Sequence, residues 1–332
     1  MIDFEQSTKR RRWSLDRVGR QEVSTCSFVE FTAGDASARI VSAPLLITRL
    51  RSMKTARKIA AARMIYHAVH AGRTLLGRTD QEIVVRENVT YDLNLSQGID
   101  FAIYLGNMYE RPTRAALRKL VSPASLVLDI GANIGAHTLH LAQLVGPQGL
   151  VMAFEPTEYA FRKLHRNLEL NPALAARVIA HHCFLTRNDD DEIPSAIFSS
   201  WPLAKQSGLH SKHLGREMGT EAATGRSLDK ILAETADRKV SLVKLDVDGF
   251  ECDVLRGSTA LLRDIRPIFV MELAPYVLEE RGTSLEELLS YFIPNGYSFY
   301  DERTYKALPS SAKELNKMVA DGAGINAVAR VD

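Results

Sequence analysis

Leu126-Val127-Leu128-Asp129-Ile130-Gly131-Ala132-Asn133-Ile134-Gly135-Ala136-His137-Thr138 is the stretch whose reading decides the fold. Four apolar positions and one acid over residues 126–130 read as a strand buried on both faces, as in a parallel sheet. Gly131 and Gly135 mark a tight turn where the backbone needs unusual angles or approaches a ligand closely. From Thr138 to Val145 the periodicity is helical, and Gly146-Pro147 closes it. Strand, glycine turn and helix open a doubly wound α/β fold, whose ligands lie at the carboxyl ends of the strands.

The next strand, Gly149–Phe154, ends at Glu155-Pro156, which puts an acid 20 residues beyond Gly135. An acid at this spacing accepts hydrogen bonds from the ribose hydroxyls of an adenosine-containing ligand. The spacing alone also suits NAD. The turn does not, because the dinucleotide fingerprint needs a second glycine where pyrophosphate approaches, and Asn133 stands there. A ligand without phosphates fits better, and S-adenosylmethionine is the common one.

Asp129-Ile-Gly-Ala-Asn-Ile-Gly135 and Phe154-Glu-Pro156 resemble the first two motifs of class I methyltransferases. Taken with Asn167-Leu-Glu-Leu-Asn171 and Val243-Lys-Leu-Asp246-Val-Asp248-Gly249-Phe-Glu251, the chain is similar to the FkbM family from about Tyr91 to about Pro275. The resemblance implies a Rossmann-like α/β domain: a seven-stranded, mostly parallel sheet with an antiparallel last strand, plus a helical and hairpin extension at the N-terminal side. It implies S-adenosylmethionine as cofactor and O-methylation of a small molecule, lipid or glycan. Asp129, Gly131, Ala132, Asn133, Gly135 and Glu155 then form the cofactor site. In the family a segment ending in Tyr-Glu precedes the catalytic domain, so Tyr109 and Glu110 are expected at the cofactor pocket. Local pairing of Glu110 with Arg111 or Arg114 is an equal expectation.

Composition narrows the class. The 332 residues suffice for one large α/β domain and an extension, read as 1–80 (basic, partly helical) and 81–332 (catalytic). A net charge of +2 gives no bulk affinity for nucleic acid. Cys26, Cys183 and Cys252 form neither a disulfide framework nor a metal pattern, which suits a reducing compartment. The start, Met1-Ile-Asp-Phe-Glu-Gln, lacks a signal-peptide core, and no apolar run is long enough to span a bilayer. A cytoplasmic protein is the expectation.

The first 38 residues carry Lys9-Arg10-Arg11-Arg12 and read as a solvated tail, although a basic run also suits nucleic acid or anionic membrane. Between Asp35 and Asp80 there is no acid, against nine cations: Arg39, Arg49, Arg51, Lys54, Arg57, Lys58, Arg63, Arg73 and Arg78. A helix started by Pro44 continues through Leu46, Leu50, Met53, Ala60 and Met64. That stripe suits a peripheral membrane contact. Packing of the stripe on the catalytic domain, or on a second subunit in a homo-oligomer, is the stronger expectation.

Residues 82–95 alternate as a hairpin turning at Asn88. A helix is expected from Tyr159 to Asn171 and a third strand from Val178 to Leu185. His181-His182-Cys183 is no metal site on this reading, because neighbours on a strand face opposite sides. The Asn188–Glu192 run reads as a solvated turn. Residues 194–225 lose periodicity, a length that signals a functional or mobile loop, with His210 and His213 as candidates over the substrate. Ile268–Leu273 is a fifth strand with Glu272 near its end, Ser284 caps a helix to Phe292, and Ile325–Val331 is the last strand.

Val240–Val247 reads as the fourth strand, leading into Asp246, Asp248 and Glu251. Acids crowded at a strand end repel each other unless something uses them. Glu251 suits a helix N-terminus. Asp246 and Asp248 are therefore the catalytic candidates, as proton acceptors directly or through a bound divalent cation. The family usually has Glu where Asp248 stands. Two rivals remain: a non-catalytic S-adenosylmethionine-binding or scaffold protein, which would not need these acids, and an NAD enzyme, disfavoured at Asn133.

Overall fold

The computed structural model describes residues 28–29, 40–41 and 55–332, except 205, 211–213, 236–237 and 321, with side chains from residue 59 onward. The chain divides into two units, Met1–Met53 and Lys54–Asp332. In the first, Phe28–Val29 pairs antiparallel with Ile40–Val41. The Lys9–Arg12 run, Cys26 and the apolar positions Leu46, Leu50 and Met53 lie outside the described residues.

The second unit is built on a seven-stranded sheet. Its strands, numbered here in chain order, are β1 Leu126–Ile130, β2 Leu150–Phe154, β3 Val178–His181, β4 Val240–Leu245, β5 Ile268–Leu273, β6 Tyr297–Asp301 and β7 Ile325–Val331. Their spatial order is β6-β7-β5-β4-β1-β2-β3. Strands β1 to β5 pair parallel, and β7 runs antiparallel between β5 and β6. The expected mostly parallel sheet with an antiparallel last strand is what the chain forms. Chain direction across the sheet reverses between β1 and β4, which opens a crevice at their carboxyl ends.

Alternation on each strand divides the interior. Leu126, Leu128 and Ile130 enter one core with Phe154, Leu245 and Phe269. Val127 enters the opposite core with Val151, Leu242 and Val270. Every residue of β1 is buried, Asp129 included. Burial of that carboxylate needs partners, and these lie in the site below.

A third cluster joins the hairpin to the turn after β1. Gln81–Arg86 and Val89–Asn94 pair antiparallel across Glu87 and Asn88, both with positive φ (49° and 63°). Two left-handed residues in a two-residue loop match the right-handed twist of the strands. Tyr91, Leu93 and Phe101 pack with Ile134, Leu164 and Leu168. Asn167 and Asn171 bridge helix to hairpin: their side-chain oxygens accept from Asp92 N (2.8 Å) and Thr90 N (2.9 Å). Asn167 Nδ2 also donates to Ile134 O at 2.8 Å, which secures the turn beside Gly135.

Three expectations change. The helix Thr55–Leu75 buries Ile59, Tyr66 and Arg73, whereas Ala60 and Met64 of the expected packing stripe are exposed. Tyr66 donates to Asp80 (2.7 Å) and Arg73 pairs with Glu82 (2.6 Å), so polar anchors fix the inner face. The segment 178–185 is two strands, not one: β3 ends at His181, and Cys183–Thr186 pairs parallel with Thr224–Ser227. The fourth strand ends at Leu245, so Asp246 and Asp248 occupy the turn beyond it. Among the described residues no helix is long and apolar enough to cross a membrane.

Candidate active site

A cleft opens at the carboxyl ends of β1, β2 and β4. Gly131 forms its floor with φ 81°, where a Cβ would come within 1.8 Å of the Asp246 carbonyl oxygen. No side chain fits between two strand ends that approach so closely. Gly135 (φ 87°) is pinned beneath Leu164, whose Cδ1 would lie 2.7 Å from a Cβ. Gly131 N and Ala132 N both donate to Phe154 O at 3.0 Å, tying the turn to β2.

Glu155 is held by the same turn. Its Oε2 accepts from Asn133 N at 2.9 Å, and its Oε1 accepts from Thr157 N at 2.9 Å and Thr157 Oγ1 at 2.5 Å. Burial raises the carboxyl pKa, and those three donors oppose the rise. The carboxylate is fixed in orientation with lone pairs left toward the cleft.

Below it lies a buried ionic knot. Asp129 Oδ2 accepts from Thr138 Oγ1 at 2.6 Å, while Oδ1 has no hydrogen-bond partner. Lys244 Nζ is 3.8 Å from that Oδ1, 3.2 Å from Asp246 Oδ2 and 3.1 Å from the Gly131 carbonyl to which it donates. Burial disfavours the ammonium, but Asp246, Asp129 and Glu110 outweigh it and keep the lysine charged. Asp248 has no such partner. It sits at φ 51° in the turn, and burial, reinforced by Asp246 and Glu251, pushes its pKa to about 8. Glu251 begins the helix Glu251–Arg256, but instead of capping it the side chain accepts from Val247 N (3.2 Å) and Gly249 N (3.4 Å) of the preceding turn, and burial raises its pKa to about 7.

The predicted residues separate into three places. Gly131, Asn133, Glu155, Asp246 and Asp248 line the cleft. Asp129, Ala132 and Gly135 are buried or packed behind it. Glu110 lines a smaller adjoining cavity, which shares Asp246 and includes Thr113, Lys244, Glu272 and Asn326. Its Oε2 lies 2.7 Å from His137 Nε2, not against Arg111 or Arg114, and Arg114 pairs instead with Glu87. Burial raises Glu110, but the His137 bond and charge and Lys244 bring its pKa below the usual range.

Residues that sequence reading gave no role also gather here. Glu272 faces Asp246 and Glu110 across the small cavity, and burial together with those charges raises its pKa far above normal. Its position near the end of a parallel strand was the available signal. The 194–225 segment is not structureless: Ala196–Ser199 and Arg216–Gly219 pair antiparallel, and Ile197, Ser199, Ser200 and Trp201 line the cleft. The backbone at Gly98 N donates to Trp201 O (2.8 Å), docking this wall on the hairpin module. His210 lies 3.2 Å from Glu280 and edge-on to Phe198, and it does not line the cleft. His213 lies outside the described residues.

Among the described residues no group of three or more His, Cys, Asp or Glu is arranged to hold a metal ion. His181 stacks on Phe154 (4.9 Å) and His182 on Phe161 (4.3 Å), so the two rings serve separate aromatic contacts.

What fits the cleft follows from its lining. Among the described residues three carboxylates face it and no Lys, Arg or His does. Phosphates would meet these carboxylates, which disfavours a dinucleotide. Phe154, Pro156, Phe184, Leu185 and Val254 form an apolar slot beside the Glu155 carboxylate. A flat heterocycle with a ribose, followed by a cationic tail, matches this division; S-adenosylmethionine carries both a sulfonium and an ammonium.

Comparison with known proteins finds methyltransferases. A methyltransferase of Beauveria bassiana, "Methyltransferase 1", is 31% identical over 147 residues, covering 40% of this chain and 58% of that one. The hexuronic acid methyltransferase AglP of Haloferax volcanii is 29% identical over 142 residues, covering 43% and 53%. The chain thus spans little more than half the length of these two relatives. The crystal structure of methyltransferase FkbM from Methylobacillus flagellatus shares 16% identity at a TM-score of 0.34, covering 70% of this chain and 53% of that one. The methyltransferase FkbM domain matches residues 129–305, just over half of the sequence, and the chain belongs to that family.

Proposed function

We propose that the protein binds S-adenosylmethionine in this cleft and transfers its methyl group to a hydroxyl oxygen of a small molecule, lipid or glycan. The observation that carries the reading is the lining: three carboxylates and, among the described residues, no cation, beside an apolar slot. When bound, the cofactor supplies an electrophilic methyl carbon and a neutral thioether leaving group.

The residues have separable tasks. Glu155 accepts from the ribose hydroxyls, since its carboxylate is already oriented by Asn133 and Thr157. Gly131 and Asn133 leave room for the methionine end, where Asp246 supplies fixed negative charge. Lys244 holds Asp246 at 3.2 Å, so that carboxylate is already engaged in an ion pair. Asp248 accepts the acceptor's hydroxyl proton: a carboxyl poised at about pH 8 binds a proton more strongly than an ordinary aspartate. The AglP likeness supports a sugar hydroxyl as acceptor. A divalent cation against Asp246 and Asp248 is a second route to the same proton transfer.

The test is label transfer from S-adenosylmethionine to a panel of neutral sugars, uronic acids and lipid-linked alcohols. An O-methylated product formed by the wild type and lost in Asp248→Asn supports the reading. Product unchanged by Asp248→Asn removes that residue from catalysis, and methylation at nitrogen or carbon refutes the oxygen assignment. Loss of activity with a chelator, restored by Mg²⁺, selects the metal route.

A further inference from the structure

The helix Thr55–Leu75 is apolar on two opposite sides, and only one of them is used. Ile59, Tyr66 and Arg73 face inward. Met64, Ile65, Ala68, Ala71, Leu75 and Leu76 lie along the other side at helical spacing, and all six are exposed. Met64 is 72% exposed, Leu75 88% and Leu76 76%, values expected of a side chain in solution rather than at a packed surface. Large apolar side chains gathered in one exposed stripe mark a contact surface.

Charge decides what it contacts. Residues 36–79 hold nine cations and no acid, so in a chain of net charge +2 the remainder stands at −7. Arg63 and Arg73 are taken up internally, by Pro202 O (3.1 Å) and Glu82 (2.6 Å). Of the other seven, Arg78 is exposed and the remaining side chains lie outside the described residues, so for them the sequence alone supplies the charge. A symmetric contact with a second copy would press two such spans together, and like charges oppose it. A nucleic-acid phosphate backbone offers nothing to Met64, Ile65, Leu75 and Leu76. A lipid surface satisfies both features, with acyl boundary for the stripe and anionic headgroups for the cations.

We propose that this helix lies in the surface of an anionic bilayer, apolar stripe inward, and brings the cleft domain to the membrane without spanning it. At 1.5 Å per residue its 21 residues run about 31 Å along that surface.

The full chain is mixed with phosphatidylcholine vesicles, with or without roughly a third phosphatidylserine, and sedimented. Binding should require phosphatidylserine and fall at least tenfold as salt rises from about 0.1 M to 0.5 M. Met64→Glu/Leu75→Glu changes two exposed side chains, so fold and S-adenosylmethionine binding should survive while sedimentation falls about tenfold or more. Arg57→Gln/Lys58→Gln/Arg78→Gln, tested in parallel, should weaken binding to anionic vesicles with the stripe intact. Equal binding to neutral vesicles, no binding at all, or a Glu variant that sediments like wild type overturns the proposal. So does a stable dimer by light scattering that the Glu variant dissociates, which would assign the stripe to a second copy.

Discussion

Glu155→Gln is nearly isosteric, and by shape alone it should be mild. The hydrogen bonds say otherwise. Oε2 faces the Asn133 N–H at 2.9 Å, and Oε1 faces the Thr157 N–H at 2.9 Å. A carboxylate accepts at both oxygens, but an amide has one acceptor and one donor. Whichever way the glutamine turns, its NH₂ meets a backbone N–H and leaves that buried donor unsatisfied. The cost is about 1–3 kcal/mol, with a further loss in binding because the ribose-facing charge is gone. For a domain of this size the stability loss amounts to about 2–12 °C in Tm. Thermal melts of the unliganded protein, followed by calorimetric titration with S-adenosylmethionine, separate the two effects. A Glu155→Gln protein with wild-type Tm and wild-type Kd would refute the reasoning, because it would mean that neither oxygen is fixed by the turn.

Other outcomes follow from the same geometry. Gly131→Ala places a methyl group 1.8 Å from the Asp246 carbonyl at φ 81°, so denaturant melts should register a loss of about 2 kcal/mol or more and titration should find cofactor binding gone. Lys244→Met strips compensation from buried Asp129 and from Asp246; urea unfolding should show a loss of about 3–5 kcal/mol. Asp248→Asn should reduce methyl transfer by about 10²–10⁴-fold while S-adenosylmethionine binds within a few-fold, as checked by single-turnover kinetics beside calorimetry. Asp248 and Glu251, raised to about 8 and about 7, hold protons in the folded state that they release when unfolded. Stability of the unliganded protein should therefore fall from about pH 6.5 to about pH 8, a window above the ordinary pKa of His140, which is pushed down to about 4 by burial. A flat or rising Tm across that window contradicts the assignment, and Asp248→Asn should flatten part of the slope.

The sheet was legible because its signals are local. An apolar run with one acid, a glycine turn and a helix identify β1 and its crossover, and the acid after β2 repeats at the spacing ribose requires. The hairpin was equally plain, since alternation and Asn88 state both the strands and the turn. The rest depends on contacts distant in sequence. Nothing near Glu110 announces His137, which lies 27 residues further on, in the helix Ala136–Val145 beyond β1. Glu272 was visible as an acid on a strand, but its role at the small cavity arises only when β5 packs beside β4. The break at His182 comes from Phe161 and Phe154 taking one ring each, a choice that periodicity does not encode. On the helix 55–75, two apolar stripes fit one period, and the sequence could not say which would be buried. Burial went to the stripe whose Tyr66 and Arg73 had polar partners in Asp80 and Glu82.

The central claim is that a cleft lined by three carboxylates, with no cation among its described lining residues, selects a cationic nucleoside over a phosphate-bearing one. Isothermal titration of the full chain with S-adenosylmethionine and, separately, with NAD tests it most directly. The account predicts saturable one-to-one binding of S-adenosylmethionine from about pH 6.5 to about pH 8, changing by no more than a few-fold as Asp248 ionises, and no heat from NAD. Binding of NAD as tight as that of S-adenosylmethionine, or no binding of S-adenosylmethionine at any pH in that range, would contradict it.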